Sequence, residues 1–102
     1  METPYYAVIF SSIQTENLEG YTEMAQKMLA LAAEQDGYLG VESAHDSALG
    51  ITVSYWRDLE SIKRWKEHAE HSIARALGRS QWYKSFSVRI AKVERQYDFG
   101  LE

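Results

Sequence analysis

Between Asp58 and Ala76 the apolar residues Leu59, Ile62, Trp65, Ala69, Ile73 and Ala76 recur three and four apart, the spacing of one buried stripe on an α-helix. Asp58 stands just before the stripe, where its carboxylate can accept from the free N–H groups of a first turn, so the helix is expected to start there. Trp65 then points inward, towards the core or a pocket. At about 100 degrees per residue, His71 falls almost opposite the centre of the stripe and His68 on its flank, so His68 is the histidine that can reach a cavity. The wider segment from Ser54 to Tyr83 holds all three tryptophans and two of the three histidines. One face of it is expected to line whatever site the chain carries.

The remaining periodicities supply the partners for this helix. Tyr5 to Ile13 is rich in aromatic and β-branched residues, and its apolar character is nearly continuous over Tyr5 to Phe10, which predicts a strand covered on both faces. After a polar connection, Tyr21, Met24, Ala25, Met28, Leu29, Leu31 and Ala32 form an apolar arc, with Glu23, Gln26, Lys27 and Glu34 away from it. This is a second amphipathic helix, with Gly37 placed to supply a left-handed stop. Tyr38 to His45 reads as a strand. Asp46 to Gly50 supplies a turn, and Ile51, Val53 and Tyr55 then alternate with Thr52, Ser54 and Trp56, so the two strands form a hairpin.

Beyond the helix, a short helical turn is expected over Ser80 to Tyr83 and a last strand over Ser85 to Tyr97. There Phe86, Val88 and Ile90 share one face while Val93 takes the other parity, which predicts a bulge, a strong twist or a change of buried face near Ala91.

The order strand, helix, strand, strand, helix, strand is the split βαβ pattern of an α+β, ferredoxin-like fold with a four-stranded antiparallel sheet, here as a single domain over residues 1–102. Two helices roof one face of such a sheet. Tyr5 to Phe10, and Trp56 with Thr52 and Ser54, place aromatic and apolar material on the other face as well, a patch larger than a soluble monomer leaves open. A second copy stacked sheet to sheet would hide it, so a homodimer burying roughly 1,200 Å² or more is expected.

Composition narrows the function. A chain of 102 residues with 45% hydrophobic content holds one core of modest size. Its formal charge of −4 offers no basic field for phosphates, so neither nucleic acid nor an anionic membrane is an expected partner. There is no cysteine, which excludes disulfides, thiolate metal sites and cysteine nucleophiles together. The N-terminus has no basic region and no long apolar run, and a cytoplasmic location is the expectation.

No phosphate-binding or dinucleotide loop and no nucleophile elbow is present. His68 and His71 are three apart with Glu67 and Glu70 interleaved, but they lack the H-E-x-x-H spacing, and no metal site is expected. His45 and Asp46 are adjacent in a strand and point to opposite faces, so a turn-flanking polar residue is expected there rather than a base with an orienting carboxylate. Arg89 and Glu94 are candidates for a cross-sheet or interface pair. The aromatics Tyr5, Tyr6, Tyr38, Tyr55, Trp56, Trp65, Trp82 and Phe86 suffice to line a cavity for a flat organic molecule between sheet and helices, although core packing uses the same residues.

The segments PYYAVIF, GYLGVESAHD, GITVSYWRDLESIKRWKEHAEH and GRSQWYKSFSVRIAKVERQY resemble the antibiotic biosynthesis monooxygenase family of the dimeric α+β barrel superfamily, over nearly the whole chain. The resemblance implies a dimer whose paired sheets form a barrel, and either oxidation of anthrone-like phenols to quinones with oxygen alone or degradation of haem. The tryptophan that such enzymes hold over the substrate corresponds to Trp65. The histidine that ligates iron in the haem-degrading branch corresponds to Arg75, and the strand asparagine used in both branches has no counterpart, since the single asparagine is Asn17. Its polar role would pass to Ser11, Ser54 or Thr52.

These implications give a cofactor-independent monooxygenase acting on a small aromatic substrate. Trp65 and His68 would be its catalytic residues, and Tyr6, Ser11, Ser54, Tyr55, Trp56 and Trp82 its substrate-binding ones. Tyr6 or Tyr55 would hydrogen-bond the oxyanion. The alternatives are a non-catalytic dimeric module for a small hydrophobic ligand and a haem-binding protein using His68 or His71.

Overall fold

The computed structural model describes residues 2–76 and 82–101, with side chains described up to Ala69 in the second helix. The elements follow the expected order: β1 (Tyr5–Gln14), α1 (Tyr21–Glu34), β2 (Tyr38–Asp46), β3 (Leu49–Trp56), α2 (Leu59–Ala76) and β4 (Tyr83–Val93). The strands form one antiparallel sheet in the order β2-β3-β1-β4, so the ferredoxin-like fold is the observed one.

The α2 helix starts where its capping residue dictates. The Ser61 backbone N–H and hydroxyl both donate to Asp58 Oδ1, at 2.8 and 2.7 Å, which satisfies one of the orphan donors of the first turn. These bonds, with a further one from Arg57, hold the Asp58 carboxyl down at about 2. Arg57 also reaches back to Asp36 at 3.1 Å, tying the α1–β2 connection to the start of α2. Helix α1 ends at Glu34 with Gln35 extended, so Gly37 is not its stop. Gly37 instead has φ +92°, and a Cβ there would lie 2.6 Å from the Ser61 Cβ. It is glycine because the chain turns left-handed into β2 while pressed against α2.

The sheet register assigns the faces. Tyr6 pairs with Trp56, Val8 with Ser54 and Phe10 with Thr52, and on the other side Val8 pairs with Ile90 and Phe10 with Val88. The core joins Trp56 and Ile62 to Ala32, with Tyr6, Val8, Tyr38 and Trp65 packed around them. Trp56 and its face-mates therefore lie under the helices, the reverse of the face assigned from sequence. The reason is size: a fully buried Trp56 fills the space between the sheet and Ile62 that no aliphatic neighbour could fill. The reverse face carries Tyr5, Ala7, Ile9, Ile13, Leu49, Ile51, Val53 and Tyr55. It is still an apolar sheet face.

The hairpin turn is tighter than expected, with Leu49 and Gly50 already in β3 and Ser47 in a left-handed conformation. Strand β4 begins at Tyr83 and stops at Val93. Of the alternatives expected near Ala91 the bulge is not the one observed, because the β1–β4 ladder runs unbroken from Tyr5↔Val93 to Ile13↔Ser85 and shifts only beyond Ile13. Val93 simply lies on the reverse face, beside Tyr5. Residues Ser80 and Gln81 of the expected helical turn lie outside the described residues.

Candidate functional site

Helix α1 packs against β2, and α2 against β3, so most of the roof sits over that half of the sheet, with Tyr21 of α1 reaching the start of β4. On the same face, Phe86, Val88 and Ile90 of β4 remain 40–51% exposed. The result is a trough bounded by α2 on one side, floored by Val8, Phe10, Thr52 and Ser54, and continued by the apolar strip of β4.

Trp65 forms one wall, with the fully buried Trp56 stacked behind it. Their rings stack at 6.0 Å with 23° between planes, an offset arrangement contributing roughly 0.5–1.5 kcal/mol beyond burial. Trp56 Nε1 donates to Ser54 Oγ at 2.8 Å, which orients the indole and uses one acceptor site of that hydroxyl. Tyr38 meets Trp56 edge-on at 5.6 Å. At the other end Phe10 stacks on Phe86 at 5.5 Å and meets Tyr83 edge-on at 5.5 Å. Tyr21 meets both Tyr83 and Trp82 edge-on. Trp82 is buried and its Nε1 donates to the Glu19 carbonyl at 2.9 Å. Burial, followed by the nearby Tyr21, pushes the Tyr83 phenol well above the usual tyrosine range.

Tyr6, Ser54, Trp56 and Trp65 are thus brought together, and Thr52 joins them on the floor of the trough. Trp82 stands at the far end. Ser11 and Tyr55 are not part of it, since both lie on the reverse face. There the Tyr55 hydroxyl donates to Glu42 Oε1 at 2.6 Å, a bond that keeps the phenol protonated and pushes its pKa up to about 12, with burial adding to it. His68 is exposed on α2, one turn beyond Trp65. His71 and Arg75 carry side chains outside those described. His45 is exposed and packs over Gly50, where an added Cβ would lie 2.9 Å from its Nε2. Arg89 and Glu94 form no ion pair among the described residues, because β4 ends between them.

The aromatics that sequence reasoning did not assign are Phe10, Tyr21 and Tyr83. Pairing Phe10 with Phe86 requires the β1–β4 register, and Tyr83 belongs to β4 rather than to a helical turn. Among the described residues no group of three or more His, Cys, Asp or Glu could hold a metal ion, and no helix is long and apolar enough to cross a membrane.

A hollow of about 110 Å³ lies between Ser11, Ser12, Ile13, Leu49, Ser85, Phe86 and Ser87. Ligand pockets commonly measure about 300–1,000 Å³, so this one does not accommodate a fused aromatic.

Residues 4–77 match the family model described as antibiotic biosynthesis monooxygenase, and that span includes β1 to α2 with the whole Trp56–Trp65 wall. The chain belongs to this family. The uncharacterized protein YqjZ of Bacillus subtilis is 55% identical over 93% of this chain and 84% of its own length. The jasmonate monooxygenase ABM of Pyricularia oryzae is 28% identical over 86% of this chain, which spans 43% of that protein. Among solved structures, SnoaB, a cofactor-independent oxygenase from Streptomyces nogalater, superposes with a TM-score of 0.74 at 13% identity, covering 93% of this chain and 97% of that one. PA3566 from Pseudomonas aeruginosa gives 0.68 at 19% identity, covering 95% and 99%. At such identities these structures attest the fold.

Proposed function

We propose that this chain is a cytoplasmic, homodimeric monooxygenase that oxidises a small electron-rich aromatic, a phenol or anthrone, with molecular oxygen and no cofactor of its own. Family membership supports the reaction class. The observation that carries the reading to a site is the trough, in which two β3 hydroxyls, Thr52 and Ser54, lie beside the stacked Trp56–Trp65 pair and an uncovered apolar strip. Successive same-face residues of a strand are about 7 Å apart, a span suited to the oxygens of a substituted ring lying on the sheet.

In this reading Trp65, backed by the fully buried Trp56 stacked on it, holds the ring flat, and Ser54, Thr52 and Tyr6 hydrogen-bond its oxygen as negative charge develops there. His68, one turn beyond Trp65, takes the acidic proton at the mouth of the trough. The anion, with charge delocalised onto a ring carbon, forms a C–O bond to oxygen and becomes a peroxide. Proton return to the peroxide, loss of the second hydrogen from that carbon and cleavage of the O–O bond leave a carbonyl and one water. One oxygen atom enters the product, the other becomes water, and the four electrons come from the two C–H bonds of the substrate carbon.

The test is oxygen uptake by metal- and flavin-free protein with a panel of anthrones and quinols. Uptake should fall at least tenfold in Thr52→Val, which removes a hydroxyl without changing shape, and be unchanged in Ser11→Ala on the reverse face. No consumption above the buffer rate across the panel would remove the enzymatic reading. The Ser54 oxygen already accepts the Trp56 N–H, and this favours, as a second reading, a non-catalytic dimeric module that binds a small aromatic. Saturable quenching of tryptophan fluorescence without oxygen uptake would select it.

A further inference from the structure

On the sheet face away from the helices, one row of paired residues runs Glu42, Val53, Ile9, Arg89 from edge to edge. An acid ends the row on β2 and a base ends it on β4, with two aliphatics between. The ends are three strand spacings apart, about 14 Å, and both side chains rise from the same face, so they do not reach each other within one chain. Among the described residues Arg89 forms no ion pair, while Glu42 accepts the Tyr55 hydroxyl on Oε1 only, leaving Oε2 free.

We infer that this face takes a second copy of the chain about a two-fold axis parallel to the strands, with Glu42 of each copy paired to Arg89 of the other. The inference rests on the homodimer reading and adds its alignment. An axis parallel to the strands sets every row on its own copy reversed, so β2 lies over the other copy's β4 and β3 over its β1. Glu42 then meets Arg89 at both ends while Val53 meets Ile9 at the centre. The neighbouring row fits the same operation: the 41% exposed Ile51 falls over Ser11, a large side chain over a small one as close packing of two sheets about 10 Å apart requires. An axis across the strands through this row would instead set Arg89 on Arg89 and Glu42 on Glu42, and like charges opposed at an interface select against that alignment. The row is self-complementary in one orientation only.

The experiment is sedimentation equilibrium of the full chain at several salt concentrations, with circular dichroism to verify folding. The variants are Glu42→Arg, Arg89→Glu and the double exchange. The wild type should be dimeric, each single reversal should raise the dimer dissociation constant roughly tenfold or more, and the double exchange should restore it to within about threefold. Glu42→Gln and Arg89→Gln, which keep size and remove charge, should each weaken the dimer and flatten its salt dependence. A dimeric wild type whose affinity is indifferent to the single reversals, or not restored by the double, overturns the alignment and leaves the homodimer standing. A monomeric wild type overturns both.

Discussion

Substituting Gly37 by alanine tests how the start of α2, and with it Trp65, is seated. At φ +92° an L-residue is strained, at a cost of about 1–2 kcal/mol. The new methyl would also overlap the wholly buried Ser61 side chain, with a Cβ–Cβ separation of 2.6 Å. Ser61 cannot step aside, because its N–H and hydroxyl are both committed to Asp58. Overpacking of this kind costs about 1–3 kcal/mol, so the sum is about 2–5 kcal/mol, a large part of a small domain's stability. At about 4–8 °C per kcal/mol for a chain of this size, the melting temperature should fall by about 8–40 °C. Thermal unfolding followed by far-UV circular dichroism gives that number, and Ser61→Gly in the same chain should recover the steric part while leaving the strain. A loss below about 1 kcal/mol would mean that α2 is not held against Gly37, and the seating of the Trp65 wall would need another cause.

Two further outcomes follow from the titrating groups. The Asp58 carboxyl is held at about 2, below the unfolded value near 4, so its contribution is complete above about pH 4 and is lost as the pH falls through about 2. Asp58→Asn, which still caps, should flatten the melting temperature between pH 2 and 4, and an unchanged slope there would remove Asp58 as the cause. The Tyr55 phenol, raised to about 12 by Glu42, contributes stability that is complete below pH 10 and lost as the pH rises through about 12. Carbon-13 labelling at the tyrosine ring should show this titration shift back towards 10 in Glu42→Gln. No shift would mean that the hydroxyl donates elsewhere.

The order of elements was legible because each helix carries a clean stripe and each strand is bounded by a turn signal. The α2 start was legible from Asp58 alone, and Trp65 was correctly turned inward by the spacing of its neighbours. The faces of the sheet were not. In β1 both parities are apolar, and in β3 the alternation sets Ile51, Val53 and Tyr55 against Thr52, Ser54 and Trp56, so hydrophobicity favours the wrong side for the helices. Only the volume of Trp56 against Ile62 and Ala32 decides it, a property of three segments together. Ser11, Ser54 and Thr52 were all reached through the missing strand asparagine and Tyr55 through its aromatic ring, and only the register sets Ser11 and Tyr55 on the reverse face, away from the other two. The Phe10–Phe86–Tyr83 end needed the β1–β4 register, which no local pattern prints.

The most direct measurement is a turnover in ¹⁸O-labelled oxygen with metal-free, flavin-free protein and an anthrone, read by mass spectrometry of the product. Incorporation of one labelled atom per quinone, with the second recovered in water and the rate lowered in Thr52→Val, is the expected result. Unlabelled product, or label at the rate of buffer alone, would contradict direct reaction of a trough-bound anion with oxygen.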